Sequence, residues 1–431
     1  MVAAQIRGLR LLATVPLGSG MAGGEGLAMH VGPGGRRTLY VASEHAPGDF
    51  VALDVTDPAK AEVAYRHELP GPHVRSNNLA VYENLLAVTR QNKEKGGTPA
   101  GVEFFDISVP DAPRPIGFFD ASGGRSVGTH FVWLAADGYA YLANQMPEYA
   151  PRDARDRFML SILDVSDPSA AEEVGRWWLP GIDEKDDAPA RLRPAERLAA
   201  ARGVTLSDEQ RAARRVEFGD ASSWDFGFRV HNVTVHPEQP DRAYLAYTSA
   251  GACILDIADR SRPAVVGALE YASPLPGAAH TFVPLGTSGF AILSDETLEE
   301  GAADFPQGVW IVDARIESRP LIVDHLDLPW PDGPVPDVGR FGAHNLHEYP
   351  PGQGALRSFD LVAGAFFGLG IALYDMSSPM RPREVARFCP GPDGDGPGSG
   401  QLNDVFVDDR SIVYAVDRRS DLCFILEREG A

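Results

Sequence analysis

Seven aligned strand openings, six recurrent aspartate turns and one apolar strand with nothing after it predict an all-β fold. The fold expected is a seven-bladed β-propeller closed by its own N-terminal strand, with a partly helical insertion between blades three and four. The turns read LDVTDP (53–58), FDISVP (105–110), LDVSDP (163–168), LDIADR (255–260), VDARIE (312–317) and YDMSSP (374–379). Asp at the head of such a turn bonds the backbone that follows it, and Pro fixes φ, so each joins two antiparallel strands.

The openings are EGLAMH (25–30), NNLAVY (77–82), THFVWL (129–134), HNVTVH (231–236), HTFVPL (280–285), HNLHEY (344–349) and NDVFVD (403–408). A short turn and a second alternating strand follow each one, which gives about four short strands per unit. There are seven openings but six complete closings, so the seventh unit lacks its fourth strand. LRLLATVPL (9–17) matches PREVARFCP (382–390), the strand that follows the sixth turn, and supplies the missing one. Without that closure the ring would expose a sheet edge. The competing reading of the same stretch is a weak signal peptide, with Arg7 and Arg10 ahead of a short apolar run.

Composition bounds the function. The net charge of −21 repels nucleic acid and anionic membrane, so neither is expected as a partner. The longest apolar run, 361–374, is too short and too glycine-rich to span a bilayer, and a soluble cytoplasmic protein is expected. Three scattered cysteines, Cys253, Cys389 and Cys423, make neither a disulfide framework nor a zinc ribbon and read as buried thiols. The sequence leaves the oligomeric state open. Gly18 to Gly23 matches a dinucleotide fingerprint, but Gly24, Gly26 and Pro33 forbid the helix it requires.

The loops are lopsided. Connections 91–101, 144–157, 295–308, 328–341 and 389–401 are long and share one face, while the opposite face has tight turns. The longest segment, 181–228, is rich in Ala, Arg, Glu and Leu over 189–215 and reads as a lid-like insertion with one or two short helices; a small second domain is the alternative.

The lead residue of each opening, with His130 taking that slot in THFVWL, starts an innermost strand at that loop-rich face. In order these are Glu25, Asn77, His130, His231, His280, His344 and Asn403. Seven polar side chains converging on one axis are costly unless they bind water, an ion or a ligand. Neutral imidazole is the commonest metal ligand, so His130, His231, His280 and His344 are expected to hold a divalent transition metal. Iron is favoured, with manganese, copper, zinc and nickel as alternatives. Glu25, Asn77 and Asn403 would orient the imidazoles or bound water, and Glu25 could itself be a ligand. The plain alternative is a set of structural histidines. Glu44, His45 and Glu296, at the ends of second strands, are candidate proton-transfer groups. Trp224, Phe226 and Phe228, at the end of the insertion, are candidate substrate-pocket residues.

The repeated turn resembles that of the LVIVD-repeat propellers over nearly the whole chain; the resemblance implies the fold and little about activity. A more distant likeness is to the selenium-binding protein and methanethiol oxidase propellers, and no residue is carried over from them. Four histidines on a propeller axis also resemble, in geometry alone, the iron site of carotenoid cleavage oxygenases. Together these observations predict a metal-dependent enzyme acting on a small organic molecule, read first as an iron(II)-type oxygenase. A metal-dependent lyase or hydrolase is the second reading, and a non-catalytic scaffold that binds a protein is the third.

Overall fold

The computed structural model describes residues 5–21, 23–219, 222–271, 277–304, 307–331, 334–390 and 400–430. Six of the recurrent Asp residues do what the sequence pattern requires. Asp54, Asp106, Asp164, Asp256, Asp313 and Asp375 each accept a hydrogen bond, through Oδ1, from the backbone N–H two residues on. Each such turn links the third strand of an antiparallel unit to the fourth.

Among the described residues, such units follow one another along the chain, the second and third joined in one nine-stranded sheet and the others forming five four-stranded sheets. The first comprises Gly23–Val31, Arg37–Ser43, Gly48–Asp54 and Glu62–Glu68. The third comprises Gly128–Leu134, Tyr139–Gln145, Met159–Asp164 and Glu172–Trp177, and the fourth Val230–Thr234, Arg242–Tyr247, Gly251–Asp256 and Ala264–Glu270. Innermost strands of the first five units lie side by side in order, and that of the last, Leu402–Val407, lies against that of the first. The apolar core fills the spaces between neighbouring sheets. One such cluster joins Phe131, Trp133 and Tyr141 of the third unit to Val233, Leu245 and Tyr247 of the fourth. All three cysteines are unpaired and buried.

The chain ends close the ring. Leu9–Pro16 pairs antiparallel with Leu422–Arg428, so the first residues complete the sheet begun by the last. One feature lies outside the sequence expectation: Gln5–Arg7 turns away and adds a strand to the outer edge of the sixth sheet, against Arg387 to Cys389. Gly8 permits the turn at φ +64°, where a Cβ would stand 2.6 Å from the Val385 carbonyl oxygen.

The sixth unit also departs from the expected regularity. HNLHEY does not run as a continuous innermost strand; it holds its neighbour Leu361–Ala365 through one bridge, Leu346 to Gly364. Tyr349, at φ 53°, and the two prolines after it break the extended run. Within the insertion, Pro194–Arg202 and Asp208–Ala212 are helical, and Arg215–Glu217 pairs with Ser222–Trp224. Of the long connections, 389–401 lies mostly outside the described residues.

Candidate metal centre

A β-strand aims alternate side chains away from the sheet, so a lead residue in a regular strand would face a neighbouring sheet. Bulges re-aim them. The register of the innermost strand slips between Thr129 and Phe131, between Val230 and Val233, and between Ala279 and Thr281, leaving His130, His231 and His280 out of the ladder. The same slip isolates Glu25 and Asn403. An extra unpaired residue at a strand end is a common device for presenting a side chain.

The four imidazoles converge through their Nε2 atoms. His130 Nε2 lies 3.1 Å from His231 Nε2. Neighbouring rings follow at centroid distances of 4.5 Å (His130–His231), 4.0 Å (His231–His280) and 4.5 Å (His280–His344). Glu25 sits among them, its Oε2 3.5 Å from His280 Nε2 and 3.9 Å from His130 Nε2, and its Oε1 3.5 Å from His344 Nε2. Glu296 closes the other side, 3.7 Å from His231 Nε2 and 3.9 Å from His344 Nε2. Three triads have ligand atoms mutually within 4.8 Å: Glu25–His130–His231, Glu25–His280–His344 and His231–His280–Glu296.

The outward nitrogens are tied down. His130 Nδ1 meets Gln91 Oε1 at 3.1 Å, His231 Nδ1 meets Asn232 Oδ1 at 2.9 Å, and His344 Nδ1 donates to the Asn403 carbonyl at 2.6 Å. His280 Nδ1 is 2.8 Å from Thr281 Oγ1. Acceptors at Nδ1 put the proton there and leave the Nε2 lone pair facing inward, the tautomer a metal requires. Phe158 stacks on His130 and Phe367 on His344, fixing the ring planes at both ends of the row. His280 and His344 Nε2 are buried without a hydrogen-bond partner.

These residues fit a metal ion on three counts. Two ligands side by side on an ion with bonds of about 2.1 Å stand about 3 Å apart, the separation of His130 and His231 Nε2. Buried nitrogens without partners are costly in isolation. Among the described residues, no lysine or arginine pairs with Glu25, although burial alone would push its carboxyl up. The facing imidazoles of His280 and His344 outweigh burial and hold it well below its usual range, so it stays ionised. Glu296 is likewise resisted by burial but held down at about 2, chiefly by Arg340, whose Nη1 donates to it at 2.9 Å. Burial, with the charge of neighbouring imidazoles, lowers His130 and takes His231 to about 3; both are neutral at ordinary pH. His280 is raised instead, because Glu25 overcomes the burial that would lower it. Mixed nitrogen and carboxylate donors suit a first-row divalent metal.

Asn77 Nδ2 donates to Glu25 Oε2 at 3.0 Å, and Asn403 holds His344 through its carbonyl and the Gly23 and Gly24 carbonyls through its amide. The structure brings Glu296, a candidate proton-transfer group, inside the cluster. Glu44 lies one step outside, ion-paired with Arg75 and Arg418, and His45 is exposed. Trp224 and Phe226 stack on each other and pack with Ala278; Phe228 joins the core between the third and fourth sheets under Arg193.

Several residues were not singled out from sequence as parts of the site. Asn232 holds His231 and also donates to Glu348 at 2.8 Å. Burial pushes Glu348 up to about 7 and Asp404 well above its usual range, and both line the axial channel below Glu25. Arg340 and Thr281 were also missed. Asn232, Thr281 and Asp404 each directly follow a lead residue, and that adjacency was the available signal.

The insertion is anchored beside this site. Arg193 donates to Asp225 through Nε and Nη2 and to both oxygens of Asp156 through Nη1, spanning the third unit's loop and the end of the insertion. Among the described residues no helix is long and apolar enough to cross a membrane.

Comparison with known proteins supports the architecture. The LVIVD repeat matches at residues 156–177 and 241–270, in the third and fourth units. The comparison with curated proteins found no match. Among solved structures the chain is similar to the β-propeller domain of Cps50 (Swd1) from Myceliophteria thermophila, at 12% identity and a TM-score of 0.51, covering 96% of this chain and 99% of that chain. At that identity the likeness shows the fold alone. The chain is a β-propeller that carries LVIVD repeats.

Proposed function

We propose that this protein is a cytoplasmic metal-dependent enzyme whose ion is held on the propeller axis by His130, His231, His280 and His344, with Glu25 or Glu296 completing the set. The observation that carries the reading is the convergence of four imidazole Nε2 atoms and two ionised carboxylates, with the outer imidazole nitrogens already tied by hydrogen bonds. Three unpaired buried thiols accord with a reducing compartment.

An iron(II)-type oxygenase acting on a small organic substrate is the activity favoured. When bound, such an ion supplies a site for dioxygen and polarises the substrate. The chain's own residues set the environment. Phe158 and Phe367 shield the two outer rings, the bulges fix the imidazole directions, and Arg340 keeps Glu296 ionised. Glu348, pushed up to about 7 by burial, and Asp404, pushed well above its usual range, can exchange protons along the channel toward Glu25. A lyase or hydrolase would use the same ion to activate water.

The test is metal analysis of protein purified without an affinity tag. About one transition-metal ion per chain is expected, with at least a tenfold loss in the His231→Ala/His280→Ala double variant. Sub-stoichiometric metal that the double variant leaves unchanged overturns the reading. With iron(II) bound, a nitric oxide adduct seen by electron paramagnetic resonance would mark an open coordination position and favour the oxygenase.

A further inference from the structure

Most buried arginines in this acidic chain are neutralised by carboxylates, as Arg90 is by Asp49 and Glu103, and Arg193 by Asp156 and Asp225. Arg157 and Arg229 are exceptions. The Nε atom of each is buried without a hydrogen-bond partner, and among the described residues neither guanidinium makes a hydrogen bond or ion pair. Both side chains are half-buried. Two neighbouring guanidiniums with a buried, unbonded Nε and no bonded carboxylate, Arg229 feeling only the more distant charge of Glu296, are costly, and a bound carboxylate or phosphate offsets that cost.

Their position ties them to the axial site. The Val230 N–H donates to the Phe158 carbonyl at 3.0 Å, so the residues just before these two, Arg229 and Arg157, are carried on adjoining backbones. Phe158 is the ring that stacks on His130, and Arg229 stands two residues before His231. Arg75, whose Nε donates to the Gln91 oxygen that also holds His130, brings a third positive charge near both. Arg157 also lines a cleft of about 240 Å³ on the loop-rich face, whose charged walls are otherwise Lys95, Arg125, Arg152 and Glu184. In a chain of net charge −21, a cleft with four cations and one carboxylate selects for anions.

We propose that Arg157 and Arg229 form a clamp for an oxyanion of the substrate, so that the axial site acts on a small organic acid entering from the cationic cleft. The guanidinium fork matches a carboxylate or a phosphate group in a bidentate arrangement. The clamp fixes one end of the molecule while the other lies against the histidine cluster. The inference rests on the axial cluster being the reaction centre, but its test does not depend on a metal being present.

The test is calorimetric titration of the full-length protein, metal-depleted and again with iron(II) added anaerobically, using benzoate, oxalate and inorganic phosphate as probes at low ionic strength. Saturable binding of at least one probe is expected in both states. Arg157→Gln and Arg229→Gln should each weaken it about tenfold or more, and lysine at either position should restore only part of the loss. Benzoate or oxalate binding more tightly than phosphate assigns a carboxylate; the reverse order assigns a phosphate ester. If Arg229→Gln does not fold, Arg157→Gln, on the cleft loop, still decides. Absence of saturable binding to the unaltered protein, or binding that Arg157→Gln leaves unchanged, overturns the clamp. Arginine-dependent anion binding in a protein that takes up no metal would leave the clamp standing and remove the metal reading alone.

Discussion

Two groups of buried charged side chains lie in the same ring and are built on opposite terms. Between the first and second units, Arg90 is fully buried and wholly satisfied. Its Nη1 and Nη2 donate to Asp49 at 2.8 and 2.7 Å, Nε and Nη2 reach Glu103, and Asp49 also meets His67 Nδ1 at 2.7 Å. On the axis, Glu25, Glu296 and four imidazoles are also withdrawn from solvent, yet two inward nitrogens, each 3.5 Å from Glu25, have no hydrogen-bond partner, and Glu25 has no arginine or lysine among the described residues. The first group is complete in itself and serves the fold. The second is complete only on its outer side, and its inner side is arranged for a ligand. Burial of charge therefore does not mark a functional site; incomplete satisfaction of oriented groups does.

The contrast is most exposed to failure at Asp49. Asp49→Ala leaves Arg90 buried with Glu103 alone and should destabilise the fold by about 3–5 kcal/mol. Denaturant unfolding measures this, while the metal content of the folded protein stays as in the parent. A loss of metal would show that the two groups are not separate.

Metal addition probes the other side. At a thousandfold excess over Kd, binding should stabilise the fold by about 4 kcal/mol, seen as a rise in Tm. In His280→Ala that gain should disappear. An equal gain in His280→Ala would mean that added metal acts elsewhere.

A smaller effect is expected one layer out. Gln91→Leu removes the acceptor at His130 Nδ1 and should weaken metal binding about 10–100-fold, in competition with a chelator, without reducing stoichiometry at saturation. Unchanged affinity would show that His130 needs no orienting partner.

The smallest effect concerns buried rings away from any carboxylate. His236 stacks on Trp133 with both nitrogens unpartnered, and burial, then the charge of Arg357, takes it down to about 3. A folded value below the unfolded one means that stability is present above about pH 6.5 and is lost as pH falls toward the folded value. His236→Phe should reduce the slope of stability against pH between 6 and 4 by about 1.4 kcal/mol per unit. A slope that does not change would assign the acid sensitivity to other groups.

Much of the site was legible as residue types in equivalent slots. Four histidines leading four successive openings stood out because the repeat aligned them, and Glu25 belonged to the same series. Glu296 was visible as an acid at a strand end, but its entry among the imidazoles depends on Arg340, 44 residues away in sequence. Arg157 and Arg229 gave no sequence signal, because an arginine in a loop reads as solvated until its partners are known to be absent.

The sequence alone determined the repeat, the turn chemistry and the closing strand, because alternation, Asp turns and strand complementarity are local properties that survive without coordinates. It also determined which side chains the repeat places in equivalent positions. Only the tertiary structure decided where those side chains point. The bulges at His130, His231, His280, Glu25 and Asn403 sit in hairpins of consecutive strands, but the meeting of the side chains they release depends on contacts between units far apart in the chain. The same dependence governs charge: whether a buried group is finished or still lacks a partner is a property of its surroundings, and those are assembled only when the ring closes.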